Sequence, residues 1–179
     1  MYILLTKKGI LFLGDPTVNV NPDSETLVKI AELMAEAVQK FNMIPRIAML
    51  SYSNFGSSPT PSTRKMSKAV EMLQEKRPDL LVDGEMQANF ALNKELLNAH
   101  FPFSTLANKK VNTLIFPNLS AGNIAYKLLQ ELGSVEAIGP LLLGMNKSVH
   151  ILQMGCSARE IVNVASVAVM DAQINQSKS

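Results

Sequence analysis

The stretch Ser51-Tyr52-Ser53-Asn54-Phe55-Gly56-Ser57-Ser58 concentrates hydroxyls, an amide and a glycine between an apolar pentapeptide and a helical pattern. Several donors in one flexible loop can face a phosphate or a carbonyl oxygen. An ordinary polar connection would look the same. There is no Gly-Lys-Ser/Thr of a Walker loop and no G-x-G-x-x-G. Pro117-Asn118-Leu119-Ser120-Ala121-Gly122-Asn123 also lies between a buried strand and a helix. Its amides and helix N-terminal N–H groups could hold an anion, or Ser120 could simply cap the helix. Asp83 and Glu85 are close enough for acid–base work, and equally for a turn paired with lysines. His100 and His150 have no ligand-like spacing, so no metal site is expected. Cys156 precedes a helix, where a thiol can be acidified, but it also reads as a small buried residue.

These residues need elements to hold them. Tyr2–Thr6 and Ile10–Leu13 read as strands joined by the turn Lys7-Lys8-Gly9. Asp23 or Ser24 opens a helix, and Leu27, Ile30, Ala31, Met34, Val38 and Phe41 keep helical spacing to about residue 42. Arg46–Leu50, Asp79–Val82 and Val111–Phe116 read as strands, with Ala137–Leu143 and Ser148–Leu152 as further candidates. Helices are expected over 62–76, in one or two short pieces around 90–97, over 120–132, and from the capping pair Ser157/Glu160 onward. The tail from Asn175 is polar. Alternating β and α segments predict a three-layer α/β/α fold with a mostly parallel sheet. Ligands then bind beyond the carboxyl ends of the strands. That places four loops together: Ser51–Ser58, Asp83–Gln87, Pro117–Asn123 and Gly144–Lys147.

Composition narrows the partners. The chain has 179 residues, 47% of them hydrophobic and 18% charged, enough for one ordered core. A formal charge of +2, with basic residues spread along the sequence, argues against a nucleic-acid surface. No apolar run is long enough for a membrane span. One cysteine suits a reducing, cytoplasmic setting. The ten methionines mostly sit at core spacing.

Several stretches, in order, resemble the phosphate acetyl/butyryl transferase (phosphotransacetylase) family: PTVNVNPDSETLVKIAELMAEAV (16–38), IAMLSYSNFGS (47–57), RPDLLVDGEMQANFAL (77–92), NTLIFPNLSAGNIAYKLLQELG (112–133), AIGPLLLGMNKSVHILQMGCSAREIVNVASVAV (137–169) and DAQ (171–173). The resemblance implies a two-lobed enzyme that moves an acyl group between CoA and phosphate in the cleft between lobes. Residues 1–152 would be its second lobe, 153–175 a final helix returning to a first lobe not in this sequence, and 176–179 a polar tail. Ser53, Asn54, Gly56 and Ser57 are expected to line the cleft, with Asn118, Asn123, Gly144 and Asn146 completing it.

Two segments depart from the family pattern. Where active members carry a Ser-Arg pair before Gly-Cys-Ser, this chain has Gln153 and Met154. Where their first loop carries Lys or Arg, it has Phe55. Gln is no general base, and neither Met nor Phe can neutralise a phosphate dianion. The variant loop followed by Arg64-Lys65-Met66 resembles the phosphotransacetylase-like C-terminal domain of bacterial NADP-dependent malic enzymes. That branch implies a regulatory domain binding acetyl-CoA or CoA, with no catalytic residue and no metal of its own. NADP and a divalent metal would belong to a malic domain elsewhere. A homodimer through this lobe is also implied. Two alternatives stay open: a phosphate acyltransferase in which Ser157 and Arg159 replace the missing pair, and an oligomerisation domain without ligand.

Overall fold

The computed structural model describes residues 1–133 and 135–176. Strands β1 (Tyr2–Thr6) and β2 (Gly9–Gly14) form an antiparallel hairpin in the register Tyr2↔Leu13. Gly9 turns it with φ +117, a conformation that L side chains rarely adopt. The remaining strands are β3 (Arg46–Leu50), β4 (Leu81–Met86), β5 (Thr113–Ile115) and β6 (Glu136–Ile138). They assemble into one six-stranded sheet in the order β4-β3-β5-β2-β1-β6. The β3–β4, β3–β5 and β2–β5 pairings are parallel, whereas β1 is antiparallel to both β2 and β6. All strands except β1 therefore point the same way, and their carboxyl ends share one edge.

Helices cover both faces. Helix α1 (Ser24–Lys40) is capped by Asp23, whose side chain accepts from Thr26 N. Helix α2 (Pro61–Lys76) starts one residue earlier than expected, because Thr60 and Thr63 form a capping box and Pro61 suits the first helical position. With Val164 of α6 (Ala158–Gln176) they bury Phe12, Ile47, Met49 and Ile115 on one face. Helices α3 (Ala88–Leu92), α4 (Lys94–His100) and α5 (Leu119–Gly133) close the other over Leu13, Leu50, Leu114 and Phe116. Met34, Met49, Met66 and Met86 are all within 1% of full burial, so these methionines do pack the core.

Three strands differ from expectation. The strand expected at Asp79–Val82 lies at Leu81–Met86, so Asp83 and Glu85 sit inside the sheet. The candidate at Ala137–Leu143 is a strand only at Glu136–Ile138, since Pro140 has no N–H for the ladder. Ser148–Leu152 is no strand: it runs along α6, with Ser148 Oγ donating to Ala168 O at 3.1 Å, and leaves Ile151 and Leu152 exposed. Helix α6 continues through Gln176, beyond the expected start of the polar tail at Asn175, while residues 177–179 lie outside the described residues.

Candidate functional site

The loop after β3 is folded around a buried carboxylate. Glu85, 1% exposed, accepts from Ser53 Oγ at 2.9 Å and from Gly56 N at 2.7 Å. Ser53 is itself 1% exposed; its oxygen accepts from Ser58 N at 3.0 Å and lies 3.1 Å from Ser57 Oγ. Asn54 N donates to Ser57 Oγ, and Asn54 Oδ1 accepts from Gln87 N at 2.8 Å, joining this loop to the end of β4. Of the four loop residues singled out from sequence, Ser53 organises the loop from within, Asn54 is half-buried, and Gly56 and Ser57 stand at the surface. Phe55 has φ +48 and turns its ring away from the loop, onto Phe101 and Phe103 at centroid distances of 4.9 and 5.0 Å. Asp83 serves the structure too, accepting from Ser104 Oγ at 2.7 Å and Thr105 N at 2.8 Å.

A second group forms where the loops after β2 and β5 meet. Asp15, at φ +45, gathers the N–H groups of Val18 (2.8 Å) and Asn19 (2.9 Å) into a compact turn. Asn123 Nδ2 donates to Pro16 O at 3.3 Å, and Leu119 N donates to Val20 O at 3.1 Å. Asn118 Oδ1 accepts from Ala121 N at 2.9 Å, so Asn118 caps α5 where Ser120 was expected to do so. Lys65, in the first turns of α2, donates to Asn21 Oδ1 at 2.9 Å and Pro117 O at 2.7 Å, tying both loops together. Partial burial lowers its pKa, and the nearby Asp23 carboxylate opposes that shift. The β2 loop was not among the loops expected at the site, and Lys65 stood out only as part of the Arg64-Lys65-Met66 resemblance, with no site role. The signal available was the order Asp15-Pro16-Thr17 straight after an apolar strand.

The segment after β6 supplies Gly144 and Asn146, both exposed. Gly144, at φ +76, packs so that a Cβ would meet Leu33 Cδ1 of α1 at 3.3 Å. Between this segment, α1 and the β2 loop lies a cavity of about 260 Å³ walled by Asp15, Val18, Leu33, Leu142 and Met145. The sheet order brings the Asn118/Asn123 group beside the Gly144 segment through the β2 loop. Among the described residues, no hydrogen bond links either group to 53–57. In the turn before α6, Met154 is fully exposed. Ser157 and Glu160 form the expected capping box, with Ser157 N donating to Glu160 Oε2 at 2.7 Å, and this holds the Glu160 carboxyl below its usual range. Arg159 is engaged with Glu136 at 2.7 Å. Ser157 and Arg159, the alternative to the Ser-Arg pair, therefore both have partners. No group of three or more His, Cys, Asp or Glu among the described residues could hold a metal, and no helix among them is long and apolar enough to cross a membrane.

The strand order and the shared carboxyl edge define a three-layer α/β protein whose candidate loops lie at one edge of the sheet. Residues 1–169 match the family described as "Phosphate acetyl/butaryl transferase", and the chain belongs to it. It is 42% identical over 174 residues to an NADP-dependent malic enzyme of Escherichia coli, covering 97% of this chain and 23% of the relative. It is 43% identical over 169 residues to a phosphate acetyltransferase of Acetivibrio thermocellus, covering 92% and 50%. A phosphotransacetylase structure from Streptococcus pyogenes superposes with a TM-score of 0.90 at 36% identity, over 97% of this chain and 53% of that one. The chain thus spans about half the length of these phosphotransacetylases and about a quarter of the malic enzyme.

Proposed function

We propose that this chain binds acetyl-CoA or CoA at the carboxyl edge of its sheet and acts as a regulatory unit of an NADP-dependent malic enzyme. The observation that carries the reading is Phe55, whose ring is packed into Phe101 and Phe103 at the loop position where the family resemblance implies a cation. Met154, fully exposed, leaves the second such position uncharged. A site without these cations can hold the apolar pantetheine arm and make amide contacts, but has little to stabilise phosphate attack. Gly56, Ser57, Asn54, Asn118, Asn123, Gly144 and Asn146 are the groups we assign to that contact, with Ser53 holding the first loop in shape. The 260 Å³ cavity beside Val18 and Met145 offers an apolar wall of suitable character. NADP and a divalent metal belong, on this reading, to a malic domain outside this sequence.

Helix α6 supports the two-lobed part of the proposal. Ile161, Val162 and Val169 are exposed on it, and Val164 is its buried residue, as expected of a helix that packs on a further lobe. We also assign homodimerisation to this lobe, as the family resemblance implies, and a cytoplasmic setting, which the single cysteine suits. Regulation requires that acetyl-CoA favour one of two conformations of the parent enzyme. Titration calorimetry with acetyl-CoA should give saturable binding, and an acyl-phosphate assay should give no product. Acetyl phosphate formed from acetyl-CoA and phosphate would replace this reading with acyl transfer.

The second reading is a phosphate acyltransferase. Lys65 favours it, because its ammonium stands where the β2 and β5 loops meet and could supply the missing positive charge. Lys65→Gln abolishing acyl-phosphate formation in an active protein would establish it.

A further inference from the structure

Five lysines separated in sequence come together at the amino edge of the sheet, opposite the loops described above. The register Phe12↔Thr113 between β2 and β5, carried back three residues, sets Gly9 beside Lys110. The dipeptide Lys7-Lys8 of the hairpin therefore abuts the dipeptide Lys109-Lys110, and Lys110 Nζ donates to Lys8 O. Lys94, the first residue of α4, joins them around a cavity of about 320 Å³. Its apolar floor is Ile10, Leu11, Val111 and Leu129, with Ile10 and Leu129 more than a third exposed. Lys109 donates to Thr105 O at 2.7 Å. Among the described residues, the ammonium groups of Lys7, Lys8 and Lys94 have neither a hydrogen bond nor an ion pair. Among the described residues no carboxylate lines the cavity.

Like charges gathered without counter-charge raise the local concentration of anions. A concave apolar floor of this volume lies at the small end of the range used for organic ligands. We propose that this cavity binds a small amphiphilic anion, with a carboxylate or phosphate head held by the lysines and a short apolar body against Ile10, Val111 and Leu129. The lysine stems add apolar wall while their heads stay in water.

The test is calorimetric titration of the protein with octanoate, octyl phosphate and octanol. At least one anion is expected to bind about 10-fold or more tighter than octanol, and to weaken as salt rises to about 0.3 M. The two anions' relative affinities tell a carboxylate from a phosphate ligand. The double variant Lys8→Gln/Lys94→Gln should lose about 10-fold for the preferred anion. Both side chains are exposed and unbonded, so its melting temperature should not change. Lysine acylation read by mass spectrometry on the unaltered protein supplies a second measure. Ligand should protect Lys7, Lys8 and Lys94 and leave Lys68 unchanged. Equal binding of octanol, unchanged affinity in the variant, or uniform labelling overturns the proposal. Protection that follows protein concentration instead of ligand overturns it too, by assigning the face to a second copy of the chain.

Discussion

Ser53→Ala removes one oxygen from a buried place where three other groups depend on it. The hydroxyl donates to Glu85 Oε1 at 2.9 Å, accepts from Ser58 N at 3.0 Å and meets Ser57 Oγ at 3.1 Å. Its hydrogen goes to the carboxylate, so Ser57 must donate to Ser53, and Asn54 N in turn donates to Ser57. One lost bond to a charged group costs about 1.5–3 kcal/mol, and the stranded Ser58 N–H adds about 1 kcal/mol. Glu85 keeps Gly56 N as a partner, which limits the loss. The expected total is about 2–4 kcal/mol, read as a lower urea midpoint with an unchanged m-value. Acetyl-CoA affinity should fall as well, since Asn54, Gly56 and Ser57 lose their fixed geometry. A loss below about 0.5 kcal/mol, within the range of an ordinary surface change, would refute the view that this loop is built on Glu85 and Ser53.

Other consequences follow from the same geometry. Phe55→Ala removes two ring contacts and should cost about 1–3 kcal/mol in chemical denaturation, each aromatic pair contributing about 0.5–1.5 kcal/mol. Lys65→Met should speed amide exchange in both 16–21 and 117–120, because both loops lose one shared donor. His150 has a buried Nδ1 without a partner among the described residues, and burial holds its pKa below 6.5. The unfolded chain then binds more protons below pH 6.5, so stability should be steady above that value and fall as the pH drops through it. His150→Gln should flatten that limb in pH-dependent melting.

Features set by local pattern were legible in the sequence. The hairpin at Lys7-Lys8-Gly9, the Asp23 cap and the Ser157/Glu160 box each depend on residues within four positions of one another. Features set by strand pairing were not. Asp83 and Glu85 read as an acid–base pair or a turn paired with lysines because their burial comes from β3 on one side and from Ser104 and the 53–57 loop on the other. Ser148–Leu152 has the apolar content of a strand, but β6 is only three residues long and Pro140 ends its ladder, so the segment lies along α6 instead. The lysines looked dispersed because the β2–β5 register that gathers them joins residues about a hundred positions apart. For the site, the loop after β3 was readable from its hydroxyls and glycine. The β2 loop was not, since Asp15 spends its carboxylate on the amides that follow it.

The central claim is that the carboxyl edge binds acyl-CoA without passing the acyl group to phosphate. Calorimetric titration of the protein with acetyl-CoA tests it most directly, comparing the unaltered chain with Ser57→Ala/Asn123→Ala. Saturable binding that weakens about 10-fold or more in the double variant is the predicted result. No binding, or equal binding by both proteins, would contradict the account.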